Sequence, residues 1–215
     1  MKKLNVLIFG ASRGTGRELV AQARDQGHHV TAFARNPPQE LVEDTRIKVL
    51  RGDLLDATAV ARAISGQDVI FSTVGNAPGD ARKPTTLFSE GMRHIVAGAR
   101  AAGVRRIICL GSCGTDPQTR TFLPVRIIAP LLKPLFRGVY DDIVRMEQAL
   151  ASVDLDWTVV RPPYLTNGKL TGHYRIGIHK HLSNVARISR ADLAHCLLVI
   201  VSNPATYRTW VEASL

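Results

Sequence analysis

The chain has 215 residues, 45% hydrophobic and 21% charged, and its 28 Lys and Arg against 18 Asp and Glu give a formal net charge of +10. This composition is typical of a folded globular domain and excludes a disordered chain. No apolar run reaches the roughly 18 residues of a membrane span, and we expect no signal peptide. Three cysteines are too few for a disulfide framework, so we expect a cytoplasmic protein.

Short apolar runs alternate with helix-like stretches along the chain. The predicted strands are Leu4–Phe9, His29–Ala34, Ile47–Leu50, Val69–Val74, Arg106–Leu110, Trp157–Val160 and Tyr207–Ala213. The predicted helices are Thr15–Gln26, a stretch that ends at Ile64, Thr85–Ala102, Tyr140–Ser152 and Ser189–Ser202. This alternation predicts an α/β fold with a Rossmann-type, doubly wound parallel sheet. We expect one domain over residues 1–215, with a small substrate-side lobe formed by the later segments.

The stretch 115–139 breaks the alternation. It contains Pro117, Pro124, Pro130 and Pro134 among apolar and basic residues. Because prolines interrupt a long amphipathic helix, a membrane-surface segment is disfavoured. We predict an irregular lid or contact segment beside the substrate site.

The peptide Gly10–Gly16 joins the first predicted strand to the first predicted helix. In a dinucleotide site Gly10 permits the tight turn, Gly14 lets the backbone approach a pyrophosphate, and Gly16 lets the helix pack against the strand. The helix N-terminus supplies free N–H groups for the phosphates. A P-loop is disfavoured because Arg17 follows Gly16 where that motif has lysine. The turn therefore predicts a bound dinucleotide.

The end of the second predicted strand indicates which dinucleotide is bound. An NAD enzyme usually has an acidic residue there for the ribose 2′-hydroxyl, but this chain has Arg35. Arg13 in the glycine turn reaches the same region, and two guanidinium groups suit a 2′-phosphate. We therefore predict NADP(H) rather than NAD(H). The other interpretation of each arginine is a solvated surface charge.

Further cofactor contacts are predicted after the other strands. Asp53 is expected to accept a hydrogen bond from the adenine amino group, or else to serve as a turn or cap residue. Gly75 would let the backbone pass close to the cofactor. The remaining residues that we assign to the cofactor are Ser12, Thr15, Leu54, Val74, Ser112 and Pro162.

Several motifs resemble, in the same order, those of the atypical short-chain dehydrogenase/reductases. They are Gly10–Gly16, Gly52-Asp53, Gly66–Ile70, Lys83–Thr86, Ser89–Gly91, Gly111-Ser112, Arg161–Pro163, Leu170–Tyr174 and Ile188–Asp192. The chain is most similar to the NAD(P)H-binding group that contains the biliverdin IXβ and flavin reductases. That resemblance implies an NADPH-binding Rossmann domain with a permissive substrate site. Ser112 matches the active-site serine of the group, whereas Tyr164 stands where those reductases carry a histidine.

The chain lacks the Tyr-x-x-x-Lys pair of the larger short-chain dehydrogenase family, because no tyrosine has a lysine four residues later. An unactivated phenol, with a pKa of about 10, is a poor base near neutral pH. We therefore predict hydride transfer from NADPH to a small conjugated acceptor such as a flavin, a quinone or a biliverdin-like molecule. Ser112 and Tyr164 are the predicted catalytic residues. Their structural alternatives are a strand-end hydroxyl and a packing residue.

Two other functions remain open. One is a non-catalytic NADP(H)-binding sensor, and the other is a nucleotide-sugar epimerase or dehydratase. We expect no metal, since the histidine pairs lack metal-ligand spacing, and no nucleic acid, since the basic residues form no run interleaved with aromatics. The expected partner is a small-molecule acceptor, and the expected state is a monomer or homodimer.

Overall fold

The computed structural model describes residues 3–76, 83–123 and 133–215. Its strands are β1 Asn5–Phe9, β2 His29–Ala34, β3 Ile47–Arg51, β4 Val69–Ser72, β5 Arg106–Leu110, β6 Asp156–Arg161, β7 Tyr164–Thr166, β8 Arg175–Ile178, β9 Arg187–Ser189 and β10 Thr209–Ser214. The α-helices described are α1 Gly14–Asp25, α2 Gln39–Glu43, α3 Ala57–Ile64, α4 Leu87–Ala102, α5 Arg137–Ala151 and α6 Arg190–Val199.

The main sheet has the strand order β3-β2-β1-β4-β5-β6-β10-β8. Every pairing in it is parallel except that of β8 with β10. The chain winds outward from β1 to β2 and β3 on one side, then returns to place β4 on the other side of β1. The predicted doubly wound Rossmann-type fold is therefore confirmed, and β1 lies at the point where the winding reverses.

Alternate residues of each central strand supply the two hydrophobic layers. On β1, Val6 and Ile8 pack into the layer under α1 and α6, while Leu7 and Phe9 pack into the layer under α3, α4 and α5. All four of these side chains are buried. Both faces of the strand are covered, which is why the sequence of β1 is almost continuously apolar.

The later part of the chain contains elements that the sequence pattern did not predict. Strand β8 adds an antiparallel edge to the main sheet, and β7 pairs with β9 in a separate two-stranded parallel sheet. We call the β7–β9 pair the small sheet. Its Leu165 lines the cleft described below.

Some element boundaries differ from the predicted ones. The strand predicted to run to Val74 ends at Ser72, because Thr73 and Val74 leave the ladder and line the cleft. Ser189 is the N-cap of α6 and accepts a hydrogen bond from the backbone N–H of Asp192. Of the predicted lid, 124–132 lies outside the described residues; the described parts begin at the last residue of the 3₁₀ turn Cys113–Thr115 and contain the 3₁₀ turn Lys133–Phe136.

Candidate functional site

A cleft of about 930 Å³ opens at the carboxyl ends of the central parallel strands. It lies at the point where the winding reverses around β1, the usual ligand site of open α/β sheets. Its lining includes the glycine turn, the ends of β2 to β5, the first residues of α4, and residues of the small sheet and α6. From the predicted cofactor set, the lining contains Gly10, Ser12, Arg13, Gly14, Thr15, Arg35, Asp53, Leu54, Val74, Gly75 and Pro162.

The glycine turn is packed too tightly for side chains. A Cβ on Gly10 would lie 2.8 Å from the carbonyl carbon of Thr73, and one on Gly16 would lie 2.6 Å from the Thr73 hydroxyl. Gly10 also has a φ of 81°, in the left-handed region. Gly16 does not line the cleft, which agrees with a packing role between α1 and β1.

The N-terminus of α1 has the properties of an anion site. Its N-cap residue, Arg13, makes no side-chain capping hydrogen bond, so the first N–H groups of the helix receive no cap from that residue. The hydroxyl of buried Thr15 has no hydrogen-bond partner in the described part of the chain. An orphaned hydroxyl beside uncapped amides at the positive end of a helix fits a phosphate group, and therefore fits a dinucleotide diphosphate.

Arg35 and Asp53 lie together in the cleft lining, where the sequence predicts contacts with the adenosine. Arg35 Nη1 is 3.9 Å from Asp53 Oδ2, and 64% of the Arg35 side chain is exposed. The other oxygen of Asp53 accepts from the backbone N–H of Leu55 at 2.9 Å, so this residue also stabilises a turn. Arg13 donates to the carbonyl oxygen of Asn76 at 3.3 Å.

Leu54 is positioned by two residues of α4. A Cβ on Gly91 would lie 2.6 Å from Leu54 Cγ, so only glycine leaves room for that side chain. His94 Nδ1 lies 3.0 Å from the Leu54 carbonyl oxygen and is therefore the protonated ring nitrogen, since a carbonyl only accepts. His94 escaped the sequence analysis because nothing local distinguishes it from any other residue of a helix.

Part of the cleft lining is apolar. We call it the apolar end, and it consists of Leu87, Phe88, Leu110, Ile143 and Leu165. Apolar and aromatic walls of this kind accommodate a flat, weakly polar molecule rather than a polyol.

Buried Asp142 of α5 holds the first turn of α4 at this apolar end. It accepts from the backbone N–H of Phe88 at 2.8 Å and from the hydroxyl of Ser89. The residue that precedes α4, Thr86, makes no side-chain cap, so the cap of this helix comes from another helix. The sequence analysis missed Asp142 because its partners are more than 50 positions away.

The two predicted catalytic residues are not among those that line the cleft. Ser112 is half-buried, and its hydroxyl accepts from the backbone N–H of Gly114 at 3.1 Å. Tyr164, at the start of β7, has 76% of its surface exposed. The Ser112 hydroxyl is thus bonded to backbone at the end of a strand, whereas Tyr164 is too exposed to be a packing residue.

Tyr140 lies against the same loop. A Cβ on Gly114 would lie 2.9 Å from the Tyr140 hydroxyl. Burial, with a smaller contribution from the nearby Cys113, raises the pKa of Tyr140 above its usual value. A phenol with a raised pKa is a weaker acid, so Tyr140 is not an activated proton donor.

A cluster of charged residues anchors the loop that follows β5. Arg161 donates to Asp116 at 2.8 Å and also to Glu147, and a Cβ on Gly111 would lie 2.6 Å from Glu147 Oε1. Gly111 lines the cleft, so the charged cluster packs directly against a residue of the lining. The Arg161 guanidinium also stacks on the Trp210 ring, 4.9 Å from its centroid.

Arg190, the first residue of α6, also lines the cleft. Its Nε lies 3.3 Å from the position that a Cβ would take on Gly14. Its Nη1 donates to Asn167 Oδ1 at 2.6 Å. Arg190 belongs to the Ile188–Asp192 motif, but its proximity to the glycine turn could not be predicted, because the two are far apart in the chain.

In the described part of the chain, no group of three or more His, Cys, Asp or Glu residues is arranged to hold a metal ion. Among the helices described, none combines the length and apolar character needed to cross a membrane.

The sequence model of the NAD(P)H-binding family matches residues 10–204 of the chain. The chain belongs to this family. The match includes the glycine turn, the small sheet and α6. The resemblance to atypical short-chain dehydrogenase/reductases is thus confirmed.

Similar proteins agree with this assignment. A 3-diazoavenalumate denitrifying reductase from a Streptomyces species is 31% identical over 188 residues, which cover 81% of this chain and 60% of that relative. The chain therefore spans less than two thirds of the length of that enzyme.

Two solved structures share the fold of this NAD(P)H-binding protein. A short-chain dehydrogenase/reductase from Veillonella parvula in complex with NADP has a TM-score of 0.82 at 19% identity and covers 100% of this chain and 95% of its own. ChuY, an anaerobillin reductase from E. coli O157:H7, has a TM-score of 0.75 at 24% identity, with 98% and 96% covered. At these identities the likeness shows the fold.

Proposed function

We propose that the protein is a cytoplasmic NADPH-dependent reductase of a small conjugated acceptor, such as a flavin, a quinone or a biliverdin-like molecule. The observation that carries this proposal is the continuity of the cleft. A phosphate-binding end with an orphaned Thr15 hydroxyl leads into an apolar end walled by Leu87, Phe88 and Ile143. The relative from Streptomyces that is named a reductase supports the same class of reaction.

NADPH is preferred over NADH in this proposal because of Arg35. Its side chain is largely exposed at the adenosine end, and its ion pair with Asp53 is long, at 3.9 Å. A 2′-phosphate can replace this weak contact with charge-assisted hydrogen bonds. The Veillonella structure in complex with NADP is consistent with this preference.

The cofactor supplies the hydride, and the residues of the chain bind, orient and exclude water. Leu87, Phe88 and Leu165 cover the faces of a flat acceptor and hold it against the nicotinamide. None of the tyrosines lines the cleft within the described residues. The proton that completes the reduction therefore comes from water, which is sufficient when the reduced acceptor is a stabilised anion.

The alternative is a non-catalytic NADP(H)-binding sensor. The observation in its favour is that Ser112 and Tyr164 lie outside the lining of the cleft. A sensor would bind NADPH and leave it unoxidised with every acceptor.

The test measures NADPH oxidation with a flavin, a quinone and biliverdin, alongside the equilibrium Kd for NADPH. The reductase predicts saturable turnover with at least one acceptor. Tight NADPH binding with background oxidation for all three would reject the reductase in favour of the sensor.

A variant pair locates the acceptor. Leu87→Trp fills the apolar end and should abolish turnover while the Kd for NADP+ stays within about twofold. Val199→Trp enlarges an exposed apolar side chain on α6 that does not line the cleft, and should change neither quantity. Wild-type turnover in Leu87→Trp would contradict the proposed acceptor site.

A further inference from the structure

The position of Arg190 is unusual for a cation. Its guanidinium lies against Gly14, the first residue of α1, with 3.3 Å between Arg190 Nε and the Cβ position of that glycine. The N-terminus of a helix carries about half a positive elementary charge. A cation at this end of a helix is repelled, so the arrangement is favourable only when an anion lies between the two.

Nothing in the described part of the chain supplies that anion. No Asp or Glu lies within ion-pair distance of Arg190 there. The nearby Asp192 is buried and accepts instead from Ser189, Thr171 and Gly172. The Arg190 side chain is thus an uncompensated charge on the wall of the cleft.

One nitrogen of the Arg190 guanidinium already makes hydrogen bonds within the protein. Nη1 donates to Asn167 Oδ1 at 2.6 Å and makes a longer contact with the Leu165 carbonyl oxygen at 3.4 Å. Nε and Nη2 make no hydrogen bond to the residues that the structure describes. The side chain is therefore held by one nitrogen while two donors remain available to a ligand.

We propose that Arg190 binds the diphosphate of the dinucleotide, opposite the backbone amides of the glycine turn and the hydroxyl of Thr15. This inference rests on the proposed binding of NADP(H). The ligand has two negative charges at this point, which satisfy both the helix N-terminus and the guanidinium. Arg190 thus supplies, from α6 near the end of the chain, a second cation beside Arg13 of the glycine turn, whose guanidinium donates to the Asn76 carbonyl oxygen.

A consequence follows for the small sheet. Because Arg190 also holds Asn167 and the Leu165 carbonyl, the diphosphate is tied to the segment that follows β7. Leu165 is one wall of the acceptor end. The proposed diphosphate site therefore shares Arg190 with the strand that carries one apolar residue of the cleft lining.

The test measures the Kd of three ligands that share the adenosine 2′-phosphate. Adenosine 2′-monophosphate has no diphosphate, 2′-phospho-ADP-ribose has one, and NADP+ adds the nicotinamide. Arg190→Gln should weaken 2′-phospho-ADP-ribose and NADP+ by about 10- to 100-fold, the range for losing a charge-assisted contact, and leave adenosine 2′-monophosphate within twofold. Arg35→Gln should weaken all three.

Two further variants separate this role from a structural one. Arg187→Gln changes an exposed arginine on β9, three residues earlier, and should leave all three Kd values unchanged. Arg190→Lys keeps the charge but not the planar fork, and should fall between wild type and Arg190→Gln. If Arg190→Gln does not fold, the lysine variant still tests whether the loss follows the diphosphate.

Three results would overturn the inference. They are unchanged binding of 2′-phospho-ADP-ribose in both Arg190 variants, an equal loss for all three ligands, and a loss confined to NADP+. A wild-type chain that binds none of the three ligands contradicts the proposed function, and this inference with it. Wild-type binding together with any of the first three results contradicts this inference alone.

Discussion

Arg35 Nη1 lies 3.9 Å from Asp53 Oδ2 in the lining of the cleft, beyond the length of a hydrogen bond. An exposed pair at this distance contributes little to stability, at most about 1 kcal/mol. The arginine is therefore available to a ligand at small cost. The pair accounts for the expected choice between the two nicotinamide cofactors.

Arg35→Gln should weaken NADPH binding by about 10- to 100-fold and NADH binding by less than about threefold, because only NADPH carries the 2′-phosphate. Titration of each cofactor against wild type and variant measures the two ratios. Arg51→Gln, which changes an exposed arginine at the end of β3 outside the cleft lining, serves as the control. Equal losses for NADH and NADPH would contradict the assignment.

Thr15→Val should separate binding from stability. Removing a buried hydroxyl that has no partner relieves a desolvation cost, so the free energy of unfolding should stay constant or rise by about 1 kcal/mol. Cofactor affinity should fall about 5- to 10-fold, because the hydroxyl no longer donates to a phosphate. Thermal unfolding measures the change in stability, and cofactor titration measures the change in affinity.

The matched control is Thr58→Val, an exposed threonine in the first turn of α3. It should change neither the unfolding free energy nor the cofactor affinity. A Thr15→Val chain that is clearly destabilised yet binds the cofactor normally would argue that this hydroxyl has a purely structural role.

Asp142→Ala should lower the free energy of unfolding by about 2–4 kcal/mol. The substitution leaves the N–H of Phe88 and the hydroxyl of Ser89 without their acceptor in a buried site. Its neighbour Asp141, 55% exposed and paired with Arg137, is the control, and Asp141→Ala should cost less than about 1 kcal/mol. Chemical denaturation of both variants provides the comparison.

The same substitution should also change acceptor binding. Asp142 holds the first turn of α4, which carries Leu87 and Phe88 into the apolar end of the cleft. Asp142→Ala should therefore raise the KM for the acceptor while the Kd for NADP+ changes little. If both constants changed by the same factor, the two ends of the cleft would not be independent.

Asp192 predicts a dependence of stability on pH. Burial alone would raise its pKa, but hydrogen bonds from the backbone N–H groups of Thr171 and Gly172 and from the hydroxyls of Ser189 and Thr171 hold it below its usual value. Because the pKa is lower in the folded than in the unfolded chain, the ionised carboxylate stabilises the fold at neutral pH. This stabilisation is lost as the pH falls through the folded-state pKa.

Asp192→Asn should therefore be less stable than wild type at neutral pH, by about 1–3 kcal/mol, and the difference should shrink in acid. Denaturation curves collected between neutral and strongly acidic pH measure it. Glu40→Gln, at an exposed carboxylate on α2, should show no such pH-dependent difference. If the stability difference between wild type and Asp192→Asn became larger in acid, the Asp192 carboxylate would not be held in its ionised form.

Much of the main sheet could be predicted because its strands are buried on both faces. Strands β1 and β2 are nearly continuous apolar runs, so their positions follow from composition alone. The small sheet could not be predicted in this way. Its strands β7 and β9 have only three residues each, with one exposed residue at the start of each, so no periodicity is available to detect.

The residues of the candidate site also differ in whether local sequence could predict them. Gly10, Arg13 and Arg35 directly follow or precede predicted elements, so their presence at the carboxyl ends of the strands follows from local sequence. Arg190 and Asp142 act on residues more than 50 positions away, and only the folded chain brings those pairs together. Long-range contacts of this kind leave no pattern in a single sequence.

The cap that α5 provides to α4 fixes the backbone that carries two apolar residues of the cleft lining. Leu87 and Phe88 lie in the first turn of α4, and buried Asp142 accepts from the Phe88 N–H. A library restricted to Leu87, Leu110 and Ile143 would sample new acceptors on this fixed backbone, whereas Leu165 is left unchanged because its carbonyl contacts Arg190. The same arrangement would let descendants of one ancestral chain diverge in substrate while they inherit their source of electrons.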